Sequence, residues 1–233
     1  MPHFTSLETN QLPSAVAQAI HSRQPLSAAA RELVQAEAAK CHLVTWDEPR
    51  YPQLLREIYD PPPLLYVKGN ADLLNRHAIS IVGTGRPTPY GNQMAERLAR
   101  DLADRGLLIV SGLARGIDAC AHKGPLSSAS GATIGILGCG VDVIYPKENR
   151  KKIAEIEQRG AIISEFPMGA FPAPQNFPIR NCLIAGMARG VVVVEGAQYS
   201  GSLITARLAM ESSREVFAVP GNVTQPSPSA RIS

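Results

Sequence analysis

The sequence predicts an α/β fold in which a parallel sheet carries helices on both faces, and three observations predict it. From His77 onward, apolar and partly β-branched runs recur as AISIVG, LLIVSG, TIGILG, AIISE, VVVVE and EVFAVPG. They are nearly continuous rather than alternating, as strands buried on both faces are. Amphipathic stretches of helical length lie between most of them: NQMAERLARDLADRG, KENRKKIAEIEQRG and SLITARLAMESSRE. Nearly every apolar run also ends in Gly, Ser or Glu, which marks a strand passing into a loop. Strands alternating with helices form βαβ units, and such sheets bind ligands along the rim formed by the loops after the strands.

Taken in order, residues 14–41 are Ala-rich with apolar residues at helical spacings and are broken at Pro25, so they read as two short helices within a helical segment spanning 1–42. Residues 43–76 read as a connecting arm. Pro49, Pro52 and Pro61 to Pro63 restrict regular structure there, while Leu64, Leu65, Tyr66 and Val67 suggest one short strand. The α/β domain then occupies 77–222, and 223–233 form an irregular tail.

Composition excludes several function classes without choosing one. The chain has 233 residues, long enough for one full domain and a short appendage, and its 45% hydrophobic and 18% charged residues are those of a globular protein. A net charge of +3 means that any basic surface must come from clustering rather than excess. With aromatic residues at only 5%, a binding surface built mainly of stacking rings is disfavoured. Cys41, Cys120, Cys139 and Cys182 are far apart, with no zinc-ligand spacing and no implied metal. Neither a leader nor a membrane span is apparent, which predicts a soluble, cytoplasmic protein.

The loops after the strands carry the candidate chemistry. The first reads Gly83-Thr84-Gly85-Arg86-Pro87-Thr88 and opens a helix, an arrangement that suits either a phosphate or a tight strand-to-helix turn. The dinucleotide fingerprint is broken, because Thr88 stands where its third glycine belongs and the second strand ends in Ser111-Gly112 without the ribose-binding acid. The second loop brings Arg115 and Gly116, with Asp118 as a candidate cap, and Lys123 follows on the helix. Arg115 reads as a phosphate ligand or as an ion-pair partner of Asp118 or Glu195. His122 reads as an acid–base or a packing histidine, and Cys139 as an accessible thiol or part of a tight turn. Arg180 and Asn181 open a later helix, as Ser202 does after the fifth strand. Glu165 and Glu195, at strand ends, suggest paired-acid hydrolysis or, with Arg and Lys nearby, structural ion pairs; the second reading is preferred. A rim with several cations and glycine-rich backbone suits a strand of phosphates better than one small substrate. No nucleophile–base pair stands out, so binding outranks catalysis.

The series VGTGRPTPYG, SGLARGIDACAHKG, GILGCGVDVIYP, ISEFPMG, FPIRN, VVVVEGAQYSGSLITARLA and REVFAVPGN resembles the DprA/Smf family of DNA-processing proteins, from about Trp46 to Asn222. The resemblance implies an extended Rossmann-like domain and a non-catalytic protein without a cofactor. It also implies binding of single-stranded DNA, dimerisation, and loading of RecA onto DNA during natural transformation. The rim residues Gly83, Thr84, Arg86, Arg115, Gly116, Lys123, Arg180, Asn181 and Ser202 are the candidate DNA or phosphate contacts, and Arg115 and Lys123 match the basic positions of the family that the chain resembles. Two positions depart from the family pattern: Gly85 stands where the first loop usually has arginine, and Cys182 where a second arginine follows Arg180-Asn181. The family usually has a longer helical front and continues beyond Pro220-Gly221-Asn222, so the resemblance also implies a shortened front and rear. Two further readings are a nucleoside-phosphate enzyme similar to LOG-type phosphoribohydrolases, whose P-G-G-x-G-T-x-x-E motif is not reproduced here, and an inactive truncated remnant.

Overall fold

A computed structural model describes residues 13–22, 24–196 and 200–221, which divide into one compact unit ending at Lys40 and a second beginning at Cys41. The predicted tail at 223–233 lies outside the described residues. The first unit holds helices α1 (Ser14–Ser22) and α2 (Gln24–Ala38). Pro25 is the second residue of α2, where its missing N–H costs no helical hydrogen bond.

The second unit is built on one eight-stranded sheet. Its strands are β1 (Cys41–Thr45), β2 (Leu64–Gly69), β3 (Ala78–Gly83), β4 (Leu108–Ser111), β5 (Thr133–Ile136), β6 (Ala161–Ser164), β7 (Gly190–Val194) and β8 (Glu215–Ala218). They lie in the order β1-β2-β6-β5-β4-β3-β7-β8. All pairs from β6 to β8 are parallel, as the continuous apolar runs predict, whereas β1–β2 and β2–β6 are antiparallel. The segment read as an arm therefore extends the sheet by two strands. Val67 pairs with Ile163, and Leu65 and Val67 are fully buried.

Side-chain alternation along the strands feeds two cores, as the pleat requires. On one face Val82, Val110, Ile134 and Ile163 pack with Leu183 and Ile184 of helix α6 (Asn176–Gly186) and with Ala206 and Ala209 of helix α7 (Gly201–Glu211). On the other, Ile81, Ile109, Val192 and Val194 meet Ala95, Ala99 and Ala103 of helix α3 (Pro89–Asp104) and Ala121 of helix α4 (Ile117–Ser127). Those alanines let α3 and α4 approach closely, and Gly124 is required at their contact: a Cβ there would lie 2.4 Å from the Glu96 carbonyl oxygen. Helix α5 (Arg150–Arg159) precedes β6 and buries Ile153 and Ile156.

Strand order fixes where loops can meet. The chain moves from β3 through β4 and β5 to β6 on one side, then returns through α6 to place β7 on the other side of β3. Between β3 and β7, Gly83 lies opposite Val194, so the loops after these strands flank the point where strand order reverses. Open α/β sheets bind ligands in that crevice.

Candidate nucleic-acid interface

The first two predicted loops are locked together through their backbones. The Ile117 N–H donates to the Thr84 carbonyl at 3.1 Å, and Gly116 holds φ +74° with no room for a side chain, since a Cβ would lie 2.4 Å from that same oxygen. Gly83 is equally confined, because its Cβ would meet the Val194 carbonyl oxygen at 2.0 Å. These glycines let β3, β7 and the start of α4 converge, bringing Arg86 and Arg115 onto adjoining loops. Arg86 is exposed and has no acidic partner among the described residues. Arg115 pairs with Glu148 at 2.5 Å, both exposed, and exposed Lys123 pairs with half-buried Glu96 at 2.8 Å. Neither Asp118 nor Glu195 is the partner of Arg115. Exposed pairs of this kind contribute about 0–1 kcal/mol, so a phosphate can displace the carboxylate at little cost.

The amino terminus of α3 does not stand open for an anion. Thr88 caps it, its hydroxyl accepting from the Gly91 N–H at 3.1 Å. The Glu195 carboxylate accepts from the Thr88 N–H at 2.8 Å and from the Thr88 hydroxyl. A Cβ on Gly91 would lie 2.4 Å from that carboxylate, so a side chain there would push the Glu195 carboxylate aside. Glu195 thus supplies the negative charge that the helix end favours. This corrects the ion-pair reading of Glu195, whose partners are the backbone and hydroxyl of Thr88. On the first loop the stretch at Gly85 and Arg86 stays exposed.

Arg180, Asn181 and Ser202 are buried beneath the rim, 8%, 4% and 5% exposed, rather than displayed on it. Arg180 donates to the Gly112 carbonyl, lies 5.6 Å from the Phe177 ring, and floors a recess of about 50 Å³ behind Tyr145. Gly112 separates it from Asp118, and a Cβ on Gly112 would lie 2.7 Å from both side chains. Burial pushes the Asp118 carboxyl up, opposed by the Arg180 guanidinium, and burial pushes Arg180 down. Asp118 is not the predicted cap: Gly116 holds that position, and Asp118 accepts from the Ala114 N–H at 3.3 Å. Asn181 donates to the Gly201 carbonyl at 3.3 Å, and the Ser202 hydroxyl lies 2.7 Å from that of Ser200. A helix start rich in polar residues looks exposed in sequence; here its inner face roots three loops to one another.

His122 and Cys139 take their structural readings. The His122 ring is fully buried, and burial pushes it down to about 3, so it is neutral. Because the Thr133 hydroxyl donates to the Ile109 carbonyl, the His122 Nδ1–H must donate to that hydroxyl at 2.8 Å. Cys139 is 1% exposed, and burial pushes its thiol up to about 11.

One basic group was missed in the sequence. Lys147, Arg150 and Lys151 are exposed at the start of α5, in the run KENRKK. The Asn149 side chain donates to the Leu113 carbonyl at 2.7 Å, and the Arg115–Glu148 pair reinforces this, so the turn is fastened to the second loop. Four cations in six residues mark this group in the sequence, where the run otherwise reads as the start of a helix.

Glu165, at the end of β6, has no ion-pair partner among the described residues, contrary to expectation. Its Oε1 is buried without a hydrogen-bond partner among them, and burial followed by the nearby Asp60 pushes its carboxyl up to about 7. A carboxyl raised from 4.5 contributes stability that is present below its unfolded value and lost as pH rises through about 7. The melting temperature is therefore expected to fall by a few degrees from about pH 5 to pH 8, and Glu165→Gln to flatten that slope in thermal denaturation. Cys182 is within electrostatic reach of Glu165, Asp60 and Glu211. An arginine at 182 would meet these carboxylates, so Cys182→Arg is also expected to flatten the slope.

Among known proteins, the family model for DNA recombination-mediator protein A matches residues 42–231. The chain is 44% identical over 178 residues to the DNA processing protein DprA of Bacillus subtilis, covering 76% of this chain and 60% of that one. It is 43% identical over 186 residues to protein Smf of Escherichia coli, covering 79% and 50%. The chain thus spans between half and three fifths of these relatives. Two solved structures share the fold. One is DNA processing protein A of Streptococcus pneumoniae, with TM-score 0.81, 38% identity, and coverage of 91% of this chain and 72% of that one. The other is DNA processing protein A of Helicobacter pylori, described for its single-stranded DNA binding mode, with TM-score 0.72, 36% identity, and coverage of 79% and 83%. No helix among the described residues is long and apolar enough to cross a membrane.

Proposed function

The chain belongs to the DNA recombination-mediator protein A family, and from that premise we propose that it binds single-stranded DNA along the basic rim, catalyses no reaction itself, and delivers the strand to RecA. The observation that carries this reading is the Thr84–Ile117 backbone lock, which sets Arg86 and Arg115 on adjoining loops beside the strand-order reversal. Lys123 and the basic turn at 147–151 prolong the same charged surface. Spread cations on an open rim suit successive phosphates, while the buried Arg180, Asn181 and Ser202 hold the loops in register. The phosphoribohydrolase alternative needs a free acid at Glu195, whose carboxylate is engaged by Thr88.

Fluorescence anisotropy with single- and double-stranded oligonucleotides at two salt concentrations tests the proposal. Tighter, salt-sensitive binding of the single strand is expected; no binding at low salt by the folded chain refutes it. Gly85 is exposed, and a Cβ there would have the Arg115 carbonyl oxygen as its nearest neighbour at 4.0 Å, so a side chain fits. Gly85→Arg is expected to tighten binding roughly tenfold, one charge-assisted contact's worth. Delivery to RecA predicts a shortened lag in RecA filament formation on single-stranded DNA, and an unchanged lag rejects that step. We also propose that two copies meet through α7 and β8, where Leu203, Ile204, Met210 and Phe217 are exposed. Light scattering is expected to give twice the chain mass, and a monomer at every concentration discards the dimer.

A further inference from the structure

At the amino-terminal ends of β3 and β7 the surface forms a half-open cavity of about 290 Å³. It lies at the other end of the sheet from the basic rim, separated by the six residues of β3, roughly 20 Å of strand. Arg76 and His77 lead into β3, and Arg189 leads into β7, its N–H donating to the Ala78 carbonyl at 3.0 Å. The Arg189 Nε donates to the His77 Nδ1 at 3.1 Å, and the Arg76 Nη2 donates to the Gly106 carbonyl at 2.8 Å. Each guanidinium is thereby oriented yet keeps N–H groups with no partner among the described residues. Leu54, Leu74 and Met187 form an apolar wall.

The charge balance favours an anion. Glu57 is the one carboxylate lining the cavity, and Arg214 holds it at 3.1 Å. Helices α3 and α6 end nearby, each bringing about half a negative charge, so together they offset about one of the two guanidiniums. About one positive charge remains, beside planar N–H forks that match phosphate oxygens. The volume is at the lower edge of small-molecule sites, enough for one ionised group and a compact body, not a polymer.

We propose that this cavity binds a small phosphate monoester, its phosphate held by Arg76 and Arg189 and its body lying against the Leu54, Leu74 and Met187 wall. The site is independent of DNA binding at the opposite rim. Calorimetric titration of the full chain with thymidine monophosphate and, separately, with inorganic phosphate tests it. Saturable one-to-one binding is expected for the monophosphate, more tightly than for phosphate alone, and weakened at least tenfold by Arg76→Gln and by Arg189→Gln. Both arginines are exposed, so these variants should retain the parent's thermal transition. The rim variant Arg115→Ala with Lys123→Ala should bind the monophosphate unchanged, and Arg189→Gln should bind oligonucleotide unchanged. Absence of saturable binding, equal affinity for inorganic phosphate, or loss in the rim variant but not in Arg189→Gln overturns the proposal. None of those results bears on the single-stranded DNA reading, which its own titration decides.

Discussion

Removing Arg115 and Lys123 together is expected to weaken single-stranded DNA binding by roughly a hundredfold or more at low salt, since each charge-assisted contact contributes about 1.5–3 kcal/mol. The structure adds a reason for the upper part of that range. Both side chains are paired, with Glu148 and Glu96, and truncation to alanine leaves those carboxylates unneutralised beside the proposed DNA path. The double variant therefore loses two attractions and gains two repulsions. Salt dependence separates this from a folding defect. Single strands lose affinity with a slope of about −0.7 per neutralised phosphate, so the logarithmic slope should become shallower by about 1.4. Adding Glu96→Gln and Glu148→Gln should recover part of the affinity by removing the repulsion. An unchanged slope in a folded double variant would place the DNA elsewhere.

How much of this was legible in the sequence follows from which interactions are local. The six parallel strands were readable because burial on both faces writes itself into consecutive residues such as VVVV at 191–194, whatever their neighbours. Strand β1 was not, since Cys41–Thr45 is short, and its pairing with β2 depends on partners from Leu64 to Lys68, beyond the proline-rich stretch. At the site, the glycines of the first two loops announced close backbone approach, and Gly83 and Gly116 provide it. The role of Glu195 was hidden, because its partner Thr88 is 107 residues distant and becomes its neighbour only when the chain inserts β7 beside β3. Glu195 adopts φ 50° to make that contact, and Leu113, whose carbonyl receives Asn149, adopts φ 56°. Non-glycine residues seldom occupy this region, and nothing in local sequence marks them for it. Arg180 is hidden for another reason: its residue type suggests a surface phosphate ligand, while packing against Phe177 and Gly112 sets it inside the fold.

Replacing Arg180 with methionine is expected to destabilise the fold while leaving DNA affinity nearly intact. The variant keeps most of the side chain's volume but strips the buried Asp118 carboxyl of its opposing charge and the Gly112 carbonyl of a donor. Arg180 and Asp118 make no direct ion pair, but leaving a buried carboxylate without the charge that opposes it costs about 3–5 kcal/mol, against total stabilities of about 5–15 kcal/mol. At about 2–4 °C per kcal/mol for a domain of this size, the melting temperature should fall by roughly 6–20 °C. The pH dependence carries a definite sign. Asp118 already sits above the ordinary carboxyl range, and without Arg180 it rises further, so the native state retains a proton that the unfolded chain releases. The defect should consequently be larger at pH 8 than at pH 5. Adding Asp118→Asn to Arg180→Met removes the uncompensated carboxylate and should restore stability by about 1–3 kcal/mol, a coupling that independent sites would not show. Anisotropy at low temperature, where the variant is folded, should give an affinity within tenfold of the parent. A tenfold or greater loss at an unchanged melting temperature would instead make Arg180 a direct DNA ligand, and would require the Tyr145–Phe177 recess to open when the strand binds.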